Sequence, residues 1–298
     1  MRILISGASG LIGRALAERL RSVGDTVQTL VRRRPKASES EIAWDPDAGV
    51  LDFSRLDGLD AVVHLAGKPI DSRWTEATKK AIRDSRVRGT KMLAEAVSQL
   101  PTRAKVFISA SAVGFYGSRG DEPLDETSAP GKGFLADVCR QWEEAAAPAR
   151  GAGIRTVQLR SGLVLSRKGG VLARVLPPFK MGAGGVVGTG RQWMSWISLT
   201  AATAAIQYAI GAAELSGPVN LTAPQPVCNA EFTRTLGTVL GRPRLVPLPA
   251  FAVKLLLGEM GDELLLAGQK VLPRKLLDAG FHFAHPDLES ALRWELAH

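Results

Sequence analysis

The chain has 298 residues, 45% apolar and 22% charged, which is the balance of a globular protein with room for one large α/β unit or a sheet domain plus a smaller lobe. Two cysteines, Cys139 and Cys228, provide neither a disulfide framework nor spaced metal ligands, so the expected setting is a reducing cytoplasm with no metal site. A formal charge of +9 raises nucleic acid as a ligand, but no basic motif interleaved with aromatics accompanies it, so no nucleic-acid partner is expected.

Met1-Arg2 runs straight into Ile3-Leu4-Ile5 and glycines follow at once, so no signal peptide is expected. The apolar stretch at 201–213 is too short to span a bilayer, so no membrane association is expected. Residues 3–6 form a short apolar run that predicts a strand. Residues 11–23 place Ile12, Leu16, Leu20 and Val23 at helical spacing, and Gly24 fits the stop. A strand at 26–31, a buried strand at 61–66 and a helix at 76–100 follow. Next come a strand at 105–109, a helix at 136–150 and a strand at 156–160. Strands alternating with helices predict βαβ units and a doubly wound parallel sheet over residues 1–165.

Residues 166–298 are less regular. Five glycines at 182, 184, 185, 188 and 190 mark a loop region. Helices are predicted at 199–213, 230–240 and 251–257 and after Pro286, with a short strand at 219–221. This part is expected to supply a small C-terminal substrate lobe while returning some elements to the sheet. Its last stretch, about 247–298, carries no nameable chemistry.

The most specific motif is Gly7-Ala8-Ser9-Gly10-Leu11-Ile12-Gly13, directly after a strand and opening a helix. In a Rossmann-type fold the first glycine permits a sharp turn. The second lets backbone approach a pyrophosphate, and the third lets helix and strand pack closely. The helix start turns free N–H groups and partial positive charge toward the phosphates. Ser9, Leu11 and Ile12 share that loop. Cofactor choice is set at the end of the second strand, where Leu30-Val31 is followed by Arg32-Arg33 and no acid. A guanidinium suits the 2′-phosphate of NADP, so NADP(H) is expected in preference to NAD(H).

Between Glu144 and Glu214 there is no acidic residue, while Arg150, Arg155, Arg160, Arg167, Lys168, Arg174, Lys180 and Arg191 fall in that stretch. Either these form a basic surface or some face an anionic ligand.

With these motifs in place, the chain resembles the extended and atypical short-chain dehydrogenase/reductases of the epimerase/dehydratase superfamily. More closely, it resembles an epimerase-like subfamily that ends in a short domain of unknown function. The residues that carry the resemblance are the glycine loop, 60–67 with Lys68-Pro69-Ile70, Arg73-Trp74-Thr75, Ser85-Arg86 and Gly89-Thr90. Further ones are Ser109-Ala110-Ser111, 114–117, Val138-Cys139, Trp142-Glu143, 177–179, 188–196, 272–274 and 279–281. The resemblance implies that Leu65, Ala66 and Gly67 lie beside the adenosine ribose. It puts Ser109 and Ser111 near the nicotinamide, with Ser111 as the serine that hydrogen-bonds the reacting oxygen. Gly162, Leu163 and Val164 would flank the nicotinamide and lead into the substrate lobe, and a homodimer is the implied assembly.

The pattern breaks at the chemistry. The superfamily uses Tyr-x-x-x-Lys, with a glutamate four residues after the lysine. Anchored on Glu143, those positions hold Leu135 and Cys139. Candidate replacements are Tyr116 as an acid pointing into the cleft and Cys139 as a thiol facing the nicotinamide, each of which could instead be packed core. His64 reads as a core histidine. Arg191 could clamp an anionic group, and Trp193 or Trp196 could stack on a ring or else pack in the core. Two functions stay open: an NADP(H)-dependent oxidoreductase of epimerase-like type on an unknown small molecule, and a non-catalytic NADP(H) sensor or partner-binding protein.

Overall fold

Ile3 and Ile5 are wholly buried on one face of a central sheet, and Leu4 between them is wholly buried on the other. The same alternation recurs in the neighbouring strands. Val63 faces with Ile5 while Val62 faces with Leu4, and Ile108 and Phe107 divide in the same way. A sheet apolar on both faces needs a helical layer on each side. A computed structural model, describing residues 1–36 and 40–298, has this three-layer arrangement.

In chain order the first elements are β1 (Arg2–Ser6), α1 (Leu11–Ser22), β2 (Thr26–Val31), β3 (Glu41–Asp45), β4 (Val50–Leu51), β5 (Ala61–His64), α2 (Glu76–Ser98), β6 (Val106–Ala112) and β7 (Pro123–Leu124). They are followed by α3 (Phe134–Glu144), α4 (Ala147–Gly151), β8 (Arg155–Ser161), β9 (Leu163–Leu165), α5 (Gly170–Lys180), β10 (Trp193–Met194), β11 (Trp196–Ser198), α6 (Leu199–Gly211) and β12 (Gly217–Leu221). The remainder is β13 (Val227–Cys228), α7 (Asn229–Leu240), α8 (Ala250–Leu257), α9 (Glu259–Gly261), β14 (Lys270–Val271), α10 (Arg274–Asp278) and α11 (Leu288–Ala297). The sheet runs β12-β8-β6-β5-β1-β2-β3-β4, and every pairing except the outermost, β3 with β4, is parallel. This is a Rossmann-like α/β fold, with β12 of the second half returned to its edge.

Leu16 and Leu20 of α1 pack with Ile206 and Ile210 of α6 on one face, and Leu93 and Val97 of α2 with Ala149 of α4 on the other. A separate apolar cluster holds the lobe together: Leu172 and Phe179 of α5, Trp196, Phe232 of α7 and Leu292 of α11. The helix expected over 136–150 is two helices, α3 starting at Phe134 and α4 carrying Pro148 in its first turn. The strand β3 was not anticipated, although Ile42 and Trp44 alternate inward from it. Among the described residues no helix is long and apolar enough to cross a membrane, and no group of three metal-ligating side chains occurs.

The acid-free stretch is spent on architecture. Arg155 donates to the carbonyls of Ala209, Ile210 and Leu215, tying off the end of α6. Arg167 reaches the carbonyls of Leu296 and His298, and Arg174 pairs with Asp71.

His64 is the buried core histidine that was expected. Its Nδ1 lies 2.6 Å from Ser6 Oγ, which itself accepts from the N–H groups of Leu65 and Ala66, so the serine proton goes to the ring. The imidazole stands edge-on to Trp44, and its Nε2 has no partner among the described residues. Burial depresses its pKa to about 4, below the ordinary 6.5. Because the folded form resists protonation, the stability this group contributes is full above about 6.5. It is lost as pH falls from there toward about 4, up to roughly 3 kcal/mol for a shift of this size. The difference in unfolding free energy between wild type and His64→Gln should therefore narrow by that amount from pH 7 to pH 4. A pH-independent difference in urea melts would refute this account.

Candidate functional site

The glycine loop joins β1 to α1 and forms a cradle. Gly7 has φ +72°, and a Cβ there would meet Ala66 N and Leu65 C, each at 2.8 Å. A Cβ on Gly13 would overlap the Gly7 carbonyl. Gly10, which caps α1 with no side-chain bond, differs: its Cβ would meet only Gly7 O, at 3.3 Å, and otherwise open space. The loop thus packs tightly behind and stays open in front. Ser9 and Gly10 sit exposed at its tip. Above it lies a cavity of about 330 Å³ lined by Gly7, Gly10, Leu11, Ile12, Gly13 and Leu65, among others. The fit to a pyrophosphate is therefore of backbone to ligand: a helix start with no side-chain cap faces a space that a side chain at Gly10 would enter.

A second cavity, of about 560 Å³, lies beyond β2 and is lined by Arg32, Gly67, Lys68 and Lys80 with Asp47, Asp84 and Ser85. The structure separates the two arginines. Arg33 is held bidentately by Glu41 of β3, at 2.5 and 2.9 Å. Arg32 has no carboxylate partner among the described residues and lines the cavity. Of the two arginines expected to serve a phosphate, Arg32 lines this cavity, whereas Arg33 is engaged by Glu41. Ala66 is half-buried at the end of β5, its N–H held by Ser6 Oγ.

The third cavity, about 350 Å³, opens between the sheet and the C-terminal half. It shares Ile12, Ser161, Gly162, Leu163 and Val164 with the glycine-loop cavity, so the two form one continuous cleft. Gly162 has no room for a side chain, because a Cβ would strike the Ser195 carbonyl. Cys139 of α3 lines this cleft and is 3% exposed; burial, with Glu143 nearby, pushes its thiol up to about 11. Trp193 also lines it, with its indole N–H on Asp121. Arg191 is exposed and outside the cavity wall, its backbone turned by Thr189. The anion clamp expected of it is not on the cleft.

Ser109, Ser111 and Tyr116 fall behind the cleft wall. Ser109 is wholly buried in β6 and donates to the Ala110 carbonyl. Ser111 is 3% exposed and donates to Glu143 Oε1 at 2.7 Å. Tyr116 is wholly buried, donates to Asn220 and accepts from Arg160, and burial pushes its phenol up to about 12. It does not point into the cleft; the loop after Ser111 turns it inward under β12. At the centre of this network Arg160 makes two bonds to Glu143, 2.8 and 2.9 Å, and lies 3.4 Å over the Phe115 ring. A buried guanidinium needs such a fork.

Two wall residues had no role assigned from the sequence, although Arg86 belongs to the pattern that carries the resemblance. Glu263 comes from the C-terminal segment, 129 residues from Phe134, and accepts from the backbone N–H groups of Phe134 and Leu135. It caps α3 in place of the N-cap Gly133, which has no side chain. Arg86 of α2 is fixed by the Lys68 and Ile82 carbonyls and lies 5.0 Å over Trp142.

A parallel sheet wound on both faces, with a glycine cradle at the carboxyl end of its first strand, defines a Rossmann-type protein of the dinucleotide-binding architecture. Residues 3–221 match the NAD dependent epimerase/dehydratase family, and the chain belongs to it. Residues 248–295 match a domain of unknown function, DUF1731. An epimerase family protein of Mycobacterium bovis is 47% identical over 97% of this chain and 96% of its own. The human epimerase family protein SDR39U1 is 37% identical over 98% of this chain and 99% of its own. A crystal structure of human SDR39U1 (isoform 2) with NADPH superposes with a TM-score of 0.92 and 34% identity, covering 100% of this chain and 99% of that one.

Proposed function

We propose that this protein is an NADP(H)-dependent oxidoreductase of epimerase-like type, acting on a small molecule in the cleft between the sheet and the C-terminal lobe. The observation that carries the cofactor is the pairing of an open glycine cradle with an uncommitted Arg32. The similar human protein with bound NADPH supports the same choice. Gly7, Gly10 and Gly13 would hold the pyrophosphate and Arg32 the 2′-phosphate, with Gly67 beside the ribose. Ile12 and residues 161–164 would bring the nicotinamide end to the wall shared by the two cavities. When bound, the cofactor supplies or accepts the hydride.

The chain's own residues then position and exclude water. Leu163, Val164, Leu135 and Trp193 make the cleft largely apolar, and Gln269 offers a hydrogen bond to a substrate oxygen, whereas the Gln192 amide N–H groups are held by the Val187 and Leu265 carbonyls. The specificity test is Arg32→Asp. It should weaken NADPH by about 10- to 100-fold, the loss of one charge-assisted pair plus a repulsion, and leave NADH within a few-fold. Arg33→Ala should change NADPH far less. Equal NADPH affinity in wild type and Arg32→Asp would overturn the assignment.

One observation favours the second reading, a non-catalytic NADP(H) sensor. Among the described residues no histidine, lysine or tyrosine lines the cleft, and the pKa of its Cys139 thiol is raised to about 11. That reading predicts no NADPH turnover against a broad panel of carbonyl compounds, together with different melting temperatures in NADP⁺ and NADPH. Turnover of any panel member, abolished by filling the cleft with Gly114→Phe, would exclude it.

A further inference from the structure

We propose that the cleft accepts a small, mostly apolar molecule bearing one carboxylate, and that Arg86 of α2 is the residue that recognises it. The proposal rests on the reading of this cavity as the substrate side of the cofactor cleft, and it names the chemistry of the molecule that enters.

Among the residues lining the cavity, only Arg86, Glu263 and Cys139 can carry charge. Glu263 is spent on the N–H groups of Phe134 and Leu135. Cys139 is a neutral thiol, its pKa raised by burial. The wall thus carries one carboxylate, turned to the start of α3, and one guanidinium, which keeps donors to spare. No carboxylate pairs with Arg86 among the described residues, and burial pulls its pKa down, opposed only by the nearby Cys139 thiol. Lys270 stands over Trp193, 4.4 Å from its ring, but does not line the cavity.

The guanidinium is also held in place. A single nitrogen, Nη1, donates to both the Lys68 and Ile82 carbonyls, and the plane rests on Trp142. Those contacts fix the fork and leave Nε and Nη2 with no acceptor among the described residues. A fixed, partly buried fork with free donors is suited to a planar anion, which it can bind bidentately. A single guanidinium in a largely apolar wall matches a monoanion better than a doubly charged phosphate. About 350 Å³ is at the small end of ligand sites.

The test uses the full chain, with and without saturating NADP⁺, titrated calorimetrically with benzoate, 3-phenylpropanoate and hexanoate and with the matching primary amides. The expected result is saturable binding of at least one carboxylate, about tenfold or more tighter than its amide. Arg86→Gln should abolish that preference, and Arg86→Lys, which keeps the charge and loses the planar fork, should fall between. NADPH titration of each variant is run alongside, with melting temperatures to confirm folding. Three results would overturn the proposal: no carboxylate binds, amides bind as well as acids, or Arg86→Gln weakens NADPH as much as it weakens the acids, which would assign Arg86 to the cofactor. If wild type binds no dinucleotide, the cofactor reading fails by itself, and the titration without NADP⁺ still decides the role of Arg86.

Discussion

Replacing Gly10 with alanine should cost about 10- to 100-fold in NADPH affinity and almost nothing in stability, whereas replacing Gly13 should damage both. The two glycines are three residues apart and chemically identical, so the contrast isolates geometry. At Gly10 the new methyl would touch only the Gly7 carbonyl, at 3.3 Å, and otherwise project into the open cradle. The folded chain tolerates it, but a pyrophosphate could no longer approach the backbone, and one or more charge-assisted hydrogen bonds would be lost. At Gly13 the methyl would overlap the Gly7 carbonyl and come within 2.9 Å of the Ala8 Cα. Neither neighbour is a flexible side-chain end, so α1 must move away from β1, at roughly 1–3 kcal/mol for overpacking, and the cradle deforms with it. The measurement is NADPH titration by fluorescence beside thermal unfolding. Wild-type affinity in Gly10→Ala would show that the cradle does not receive the phosphates.

The largest loss of stability is expected at Arg160. Its guanidinium is 4% exposed and bonded twice to Glu143, which also accepts from Ser111. Arg160→Met would leave a carboxylate behind the cleft wall with only a serine hydroxyl. Removing one partner of a buried ion pair typically costs 3–5 kcal/mol, so the melting temperature should fall by on the order of 10 °C. Replacing both partners should restore much of this, because the cost lies in the unpaired charge rather than in the missing attraction. Arg160→Met with Glu143→Leu is therefore expected to melt above Arg160→Met alone. If the double variant melts lower, the pair contributes net attraction and the desolvation argument is wrong for this site. In either case NADPH affinity should change less than stability, since the network stands behind the cleft.

The parts of this protein legible in the sequence are those specified over short distances. A strand, a glycine loop and a helix follow one another within twenty-two residues. Their glycines answer local demands: a positive φ at Gly7 and a close approach at Gly13. The alternation of Ile3, Leu4 and Ile5 and the helical spacing of Leu16 and Leu20 likewise state which face is buried, without knowledge of the neighbours. Other features depended on partners far along the chain. Glu41 lies eight residues beyond Arg33, on a strand whose pairing with β2 decides which of two adjacent arginines is left for a ligand. Tyr116 and Arg160 are 44 residues apart and meet only because β6 and β8 are neighbours in the sheet. Glu263 reaches α3 across 129 residues. Arg86 stands in a helix whose periodicity marks its apolar face and nothing more, and its exposure to the cleft is set by the carbonyls and the indole around it. Backbone preference and hydrophobic period are properties of a segment, and the sequence by itself determined what rests on them. Which charges are paired and which are left over is a property of the packed whole, and only the tertiary structure decided it.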